Sequence, residues 1–274
     1  MPSIDPSSFD PSYPPPPFDE PAYSTWDLAQ HGPEPRPDWV VTDLAAVDVD
    51  LGVLKTGKEA DVHLVSRGVP GGRECLLAAK RYRTSDHRLF HRDAGYQDGR
   101  STRRTRDVRA MEGRTGYGKL LLAGKWTFAE FDALERLWQA GAPVPYPVQC
   151  LDTELMMEFI GEPDGTAAPR LAQYRPGPGE LADLYAQCVD AMLLLARAGF
   201  AHGDLSAYNL LVHRGALVMI DVPQIVDLFA NQQGPSYLER DCVNTCAWFA
   251  RRGLAAADPQ QLFGDLMAEA VARW

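Results

Sequence analysis

Three side chains that could do chemistry sit within a short span of this sequence. The run His202-Gly203-Asp204-Leu205-Ser206-Ala207-Tyr208-Asn209 is followed by Val218-Met219-Ile220-Asp221. Phosphoryl transfer from a nucleotide calls for this set: one carboxylate to orient the attacking oxygen, and an amide with a second carboxylate to hold Mg²⁺ on the phosphates. Each residue also has a plainer reading. His202 can pack as a brace for the loop, Asp204 can cap a turn, and Asn209 can hold a left-handed position. The residues between them favour the chemical reading. Leu210 to His213 and Leu217 to Asp221 read as two strands around a turn at Arg214-Gly215. Such a hairpin brings Asn209 and Asp221 together as oxygen ligands for one Mg²⁺.

A nucleotide must also be gripped at its phosphates. The stretch Leu51-Gly-Val-Leu-Lys55-Thr56-Gly57-Lys58-Glu59-Ala60-Asp61-Val62 has two competing readings. As a Walker A loop it fits at Gly52, Gly57 and Lys58, but Glu59 stands where a metal-binding hydroxyl is required. A carboxylate there repels phosphate, so this reading fails. As a phosphate-covering hairpin of the G-x-G-x-x-G-x-V kind it keeps only the middle glycine, Gly57, yet it has strand-like neighbours on both sides. Cys75 to Lys80 reads as the next strand, and Lys80 ends its apolar run. A lysine so placed reaches α- and β-phosphates, or else it is an ordinary strand-end surface lysine.

Such a lysine needs a helical glutamate to hold it. Trp126 to Gln139 has helical spacing at Phe128, Phe131, Leu134, Leu137 and Trp138, with Gly141 and Pro143 as stops. Glu130, flanked by Phe128 and Phe131, is the expected partner of Lys80, and Glu135 is expected in an exposed pair. Glu154 to Ile160 reads as a strand, and the backbone of Glu158, Phe159 and Ile160 is the candidate contact for adenine. Glu180 to Ala198 is the clearest amphipathic helix, ended by Gly199. Trp39 to Val49 is expected to form a short helix.

Composition bounds the rest. Half of the 22 prolines fall in residues 1 to 38, which predicts an extended or disordered leader; its aromatic residues Phe9, Tyr13, Phe18, Tyr23 and Trp26 suit a docking role. The formal net charge of -10 argues against nucleic-acid binding over the whole surface. Residues 81 to 125 are polar, with Arg100, Arg103, Arg104, Arg106 and Arg109 clustered, a long basic loop suited to RNA, an acidic partner or solvent. Five cysteines without a C-x-x-C pair predict free thiols in a reducing compartment. The start lacks a basic, then apolar, leader, and the apolar stretch from Ala191 to Ala201 is broken by Arg197. A cytoplasmic protein without membrane contact is expected.

The catalytic run matches the kinase pattern H-R-D-x-x-x-x-N with Gly203 in the Arg position. Together with Ile220-Asp-Val-Pro-Gln224, the Lys55 to Val62 loop and Ser236-Tyr-Leu-Glu-Arg-Asp241, it resembles the RIO family of atypical serine/threonine kinases, nearest the first subfamily, over residues 40 to 255. The resemblance implies an α+β, two-lobed protein-kinase-like fold behind the proline-rich tail. A small β-rich N-lobe is expected at 39–158 and a mainly helical C-lobe at 159–274. It also implies ATP with Mg²⁺ or Mn²⁺ as cofactors. Asp204 would be the catalytic Asp, Asn209 and Asp221 the metal pair, and Lys80 with Glu130 the ATP anchor. Where the family loop reads S-T-G-K-E-A-[ND]-V, Lys55 replaces the serine. The implied activity is phosphorylation of Ser/Thr, including autophosphorylation. The alternatives are an ATPase acting in ribosome maturation through a phospho-aspartate at Asp221, and a small-molecule kinase of aminoglycoside type. A ribosomal or RNA partner would meet the Arg-rich loop.

Overall fold

The structure is a computed structural model, and it describes residues 22–83, 116–222 and 225–272. Its chain divides into two compact units. The first holds 22–83, 116–131 and 147–158; the second holds 132–146, 159–222 and 225–272.

The first unit is built on a seven-stranded antiparallel sheet. Strands β1 (Ala22–Tyr23), β2 (Gln30–His31), β3 (Val47–Thr56), β4 (Ala60–Gly68), β5 (Glu74–Tyr82), β6 (Pro147–Leu151) and β7 (Glu154–Glu158) lie in the order β1-β3-β4-β5-β7-β6-β2. Alternate residues Cys75, Leu77 and Ala79 of β5 are buried, as one face of a pleated strand requires. The two edge strands, β1 and β2, are joined directly through Tyr23 to Gln30, a stretch that reaches at most about 25 Å fully extended. A flat sheet of seven strands would be roughly 29 Å across. The sheet therefore curls, bringing its edges toward each other.

Within residues 22–38, which proline content assigns to the leader, Ala22–Tyr23 and Gln30–His31 are strands of this sheet. Trp26 is buried, its ring 3.8 Å from that of His31, and the His31 Nε2 donates to the Trp26 carbonyl at 2.7 Å. The aromatic contact outweighs the flanking prolines, which sit outside β1 and β2. Residues 1–21 lie outside the described residues. The expected helix over Trp39 to Val49 is absent: 40–46 is irregular chain with a turn closed by Ala46 N–H to the Asp43 carbonyl (3.0 Å), and Val47 opens β3. The apolar residues Val40 and Val41 are buried side by side, a spacing that suits an extended chain and not one face of a helix.

Helix α1 (Gly116–Gln139) starts ten residues before the expected Trp126. Glycines at 116, 118 and 124 hide the start from a propensity reading. Ala60, Tyr82 and Ala123 form a buried cluster with Trp126 packed against it. In the second unit, α2 (Pro178–Arg197) lies close to the expected span and buries Leu181, Leu184, Cys188, Met192 and Leu195. Short strand β8 (Phe200–Ala201) pairs with β11 (Val226–Asp227), and β9 (Leu210–His213) pairs with β10 (Ala216–Met219). Helices α3 (Gly234–Ala250) and α4 (Pro259–Val271) pack on each other, and α4 packs on α2. All five cysteines are unpaired and buried. No helix among the described residues is long and apolar enough to cross a membrane.

One buried cation ties the sheet together. Arg67 on β4 is fully buried; its Nε and Nη2 donate to the two oxygens of Asp48 on β3 at 2.7 and 2.8 Å, and Nη1 donates to Gln149 on β6 at 2.7 Å. Removing one partner of such a pair strands a charge away from water, at a cost of about 3–5 kcal/mol. Arg67→Ala should therefore lower the unfolding free energy of the protein, read from urea melts, by about that amount. A loss under roughly 1 kcal/mol would contradict the part given to this network.

Candidate active site

The phosphate-loop candidates form a hairpin. Lys55 and Thr56 end β3, Gly57, Lys58 and Glu59 make the turn, and Ala60 and Val62 open β4. A strand follows Lys58-Glu59, whereas a Walker A loop must lead into a helix, so that reading is excluded. Gly57 N–H donates to the Ala60 carbonyl at 3.0 Å, and a Cβ on Gly57 would stand 2.7 Å from that oxygen. Only glycine fits this tight a turn. The hairpin is held from outside by Arg83, whose N–H donates to the Glu59 carbonyl at 2.8 Å. Its guanidinium also grips both oxygens of Asp61, at 2.9 and 2.5 Å, and holds that carboxyl below its usual range.

Lys80 and Glu130 meet. The Lys80 Nζ lies 2.7 Å from Glu130 Oε1, and both residues are buried, at 9 % and 1 % exposure. Tyr82 OH donates to the second glutamate oxygen, and Nζ lies 5.4 Å from the Tyr82 ring centroid. A buried pair with every oxygen occupied keeps both side chains in one place. The sequence reading missed Tyr82, although its two-residue offset from Lys80 puts both on the same face of β5. Glu135, expected as exposed, is half-buried, and this burial together with Asp132 raises its pKa. Glu158 ends β7, with Phe159 and Ile160 just after it; the Ile160 carbonyl accepts from Ala168 N–H at 2.9 Å. The Arg100 to Arg109 cluster lies outside the described residues.

The run from His202 to Asn209 in the second unit is a loop between β8 and β9. Gly203 adopts φ +83°, a left-handed conformation that explains glycine where kinases carry arginine. Its N–H donates to Asp241 Oδ2 and Leu205 N–H to Asp241 Oδ1, both at 2.8 Å. Arg240 donates to the Gly203 carbonyl. The residue between the two anchored amides, Asp204, is exposed. His202 is buried; its Nδ1 accepts from Asp204 N–H at 3.4 Å, so Nε2 carries the proton and donates to the Ile220 carbonyl at 3.2 Å. It braces the loop, in keeping with the plainer reading.

Asn209 and Asp221 are brought together. Asn209 Nδ2 donates to the Asp204 carbonyl at 2.9 Å, which leaves Oδ1 for a cation. Ile220 N–H donates to the Asn209 carbonyl at 3.0 Å and extends the β9–β10 ladder by one pair, so Asp221 follows directly beside Asn209. Asp221 sits at φ +64°, an uncommon conformation for a residue with a side chain and one that clusters at functional sites. Among the described residues no three His, Cys, Asp or Glu side chains converge on a metal-sized site. An amide and one carboxylate do suit Mg²⁺, which keeps several waters and takes its other ligands from nucleotide phosphates. Pro223 and Gln224 lie outside the described residues.

Asp241 is the site residue that sequence reasoning left without a role. Burial raises its pKa, while the two loop N–H groups and Arg240 oppose the shift. A signal for it was present: Asp241 falls on the buried face of α3 with Leu238, Cys242 and Thr245. A carboxylate on an apolar helix face must have a partner.

Comparison with known proteins fits this geometry. The RIO domain family model matches residues 72–262. The RIO-type serine/threonine-protein kinase Rio1 of Haloferax volcanii is 36% identical over 218 residues, covering 79% of this chain and 68% of that protein. Serine/threonine-protein kinase rio1 of Schizosaccharomyces pombe is 32% identical, covering 80% of this chain but 41% of its own length. The chain thus spans less than half of the Schizosaccharomyces relative. The solved Rio2 kinase-ADP/Mg²⁺-phosphoaspartate complex from Chaetomium thermophilum superposes with TM-score 0.57 at 22% identity, over 80% of this chain and 62% of that one. It shares the kinase-like α+β fold.

Asp241→Asn keeps the side-chain volume but offers an N–H₂ group to one of the two loop amides. The loop should shift, and the turnover number for phosphoryl transfer should fall about 10²-fold while ATP affinity holds. Turnover within about threefold of the wild-type value would contradict the anchoring role.

Proposed function

From membership of the RIO kinase family, to which this chain belongs, we propose that it transfers the γ-phosphoryl group of Mg²⁺-ATP to serine or threonine hydroxyls, on itself or on a protein partner. The observation that carries this reading is the hydrogen-bonded connection of Asp204, Asn209 and Ile220-Asp221. Asp204 orients the hydroxyl and takes its proton as the new O–P bond forms. Asn209 Oδ1 and the Asp221 carboxylate would be the protein ligands of Mg²⁺. When bound there, the ion neutralises charge on the β- and γ-phosphates. Mn²⁺ accepts the same oxygen ligands. Lys80, fixed by Glu130 and Tyr82, contacts the α- and β-phosphates. The hairpin from Lys55 to Val62 covers the phosphates with backbone N–H groups, and Glu158, Phe159 and Ile160 offer backbone groups to adenine. Unpaired cysteines fit a cytoplasmic location.

A second reading has its own support. The phosphoaspartate named for the Rio2 complex makes Asp221 a candidate acceptor, in an ATPase cycle suited to an assembly factor in ribosome maturation. A ribosomal or RNA partner would then meet the Arg-rich loop.

Incubation with γ-labelled ATP and Mg²⁺, followed by mapping of the labelled residue, separates the two. Label on Ser or Thr, lost in Asp204→Asn with ATP still bound, is the expected result. Hydroxylamine-sensitive label on Asp221 alone supports the ATPase cycle, and Asp204→Asn transferring at the wild-type rate would overturn the role of Asp204.

A further inference from the structure

The catalytic loop is flanked by a basic cluster that the phosphoryl-transfer machinery does not use. Leu171 N–H donates to the Leu210 carbonyl and Ala172 N–H to the Ala207 carbonyl, both at 2.8 Å, so the segment 171–175 runs beside the loop. Arg175 at its end is exposed, and among the described residues its Nη1 donates to the backbone carbonyls of Gln173 and Tyr174. The C-terminal end of α3 supplies two more arginines. Arg252 Nη2 donates to the Ala172 carbonyl at 3.4 Å, and its guanidinium lies 3.7 Å from the Trp248 ring centroid. Arg251 beside it is exposed. Tyr208, four residues after Asp204, is 61% exposed and lies within electrostatic reach of Arg252.

The guanidiniums of Arg175 and Arg251 thus lie within electrostatic reach of Arg252, which is itself bonded to the segment beside the loop. Partial burial, then the charges of Arg175 and Arg251, hold the Arg252 pKa below its ordinary value. Among the described residues no ion pair engages Arg175, Arg251 or Arg252. No such pair among the described residues offsets this mutual repulsion, in a chain of formal charge -10 where carboxylates outnumber cations. A cluster of charge of one sign beside a reacting loop is how a surface selects an oppositely charged partner and orients it.

We propose that Arg175, Arg251 and Arg252 dock an acidic polypeptide segment flanking the serine or threonine to be phosphorylated. The inference rests on the serine/threonine kinase reading and names its substrate class. A peptide fits better than RNA. The patch is compact rather than a long basic track, and Arg252 already covers the face of Trp248 that a base would stack on. The chain itself carries a segment of the right chemistry, Asp5-Pro6-Ser7-Ser8-Phe9-Asp10, and this supplies the probe.

The test uses the full-length chain and two labelled peptides, one with the sequence of residues 3–12 and one with its two aspartates changed to asparagine. Binding is read by fluorescence anisotropy and transfer by γ-labelled ATP, for wild type and for the double variant Arg175→Gln/Arg251→Gln. Both positions are exposed, so the fold and the ATP affinity should be unaffected. The acidic peptide is expected to bind the wild type about fivefold more tightly than the neutral one, a preference of the size two exposed charge pairs give. The double variant should lose that preference and raise KM for the acidic peptide alone. Equal binding of the two peptides, or an undiminished preference in the double variant, would overturn the proposal. So would a single-stranded RNA that displaces the acidic peptide at lower concentration than unlabelled peptide does. A binding preference without any transfer would instead sink the kinase reading and leave the docking site standing.

Discussion

One buried carboxylate organises the loop that carries Asp204 and Asn209. Asp241 sits on the core-facing side of α3, where an ionised side chain is costly unless every lone pair finds a donor. Two of those donors are the amides of Gly203 and Leu205. Satisfying the carboxylate and shaping the loop are therefore the same event: Gly203 must turn left-handed, and Asp204 between the two amides is pushed outward to solvent. His202 then ties the loop to Ile220, and Asn209 ties its far end to Asp204. The candidate metal pair follows from these bonds without further machinery.

The first unit solves a similar problem with a pair of charges. Lys80 and Glu130 are both out of water, and Tyr82 occupies the glutamate oxygen that the lysine does not use. Arg67, with Asp48 and Gln149, does the same for the sheet that carries Lys80. In each case a buried charge is made tolerable by complete hydrogen bonding, and the positional rigidity this confers is what phosphoryl transfer needs, since its catalysis is mostly positioning and electrostatics.

What could be read from the sequence follows this division. Two proximities were legible: Lys80 at a strand end meets Glu130 on a helix beside Phe131, and the spacing of Asn209 and Asp221 brings them side by side. The α2 helix was legible through its apolar period. Features set by long-range contacts were less so. The early start of α1 was hidden by its glycines, and Ala22–Tyr23 and Gln30–His31 join the sheet around the stacked Trp26 and His31, which proline content concealed. Asp241 was visible as part of a motif, but its role required knowing that α3 passes under the loop. The arginine cluster was the least legible, because Arg175 and Arg251-Arg252 are separated by most of the second unit, and the segment carrying Arg175 is reached by Arg252 through the carbonyl of Ala172.

The central claim is that Asp241 holds the loop as a fixed part of the core. Amide hydrogen exchange at Gly203 and Leu205, followed by NMR in the native protein, tests it directly. Anchored amides should exchange only through global unfolding, with protection equal to that of the core amides of α2. Exchange at Gly203 and Leu205 as fast as at exposed Tyr208 would contradict it.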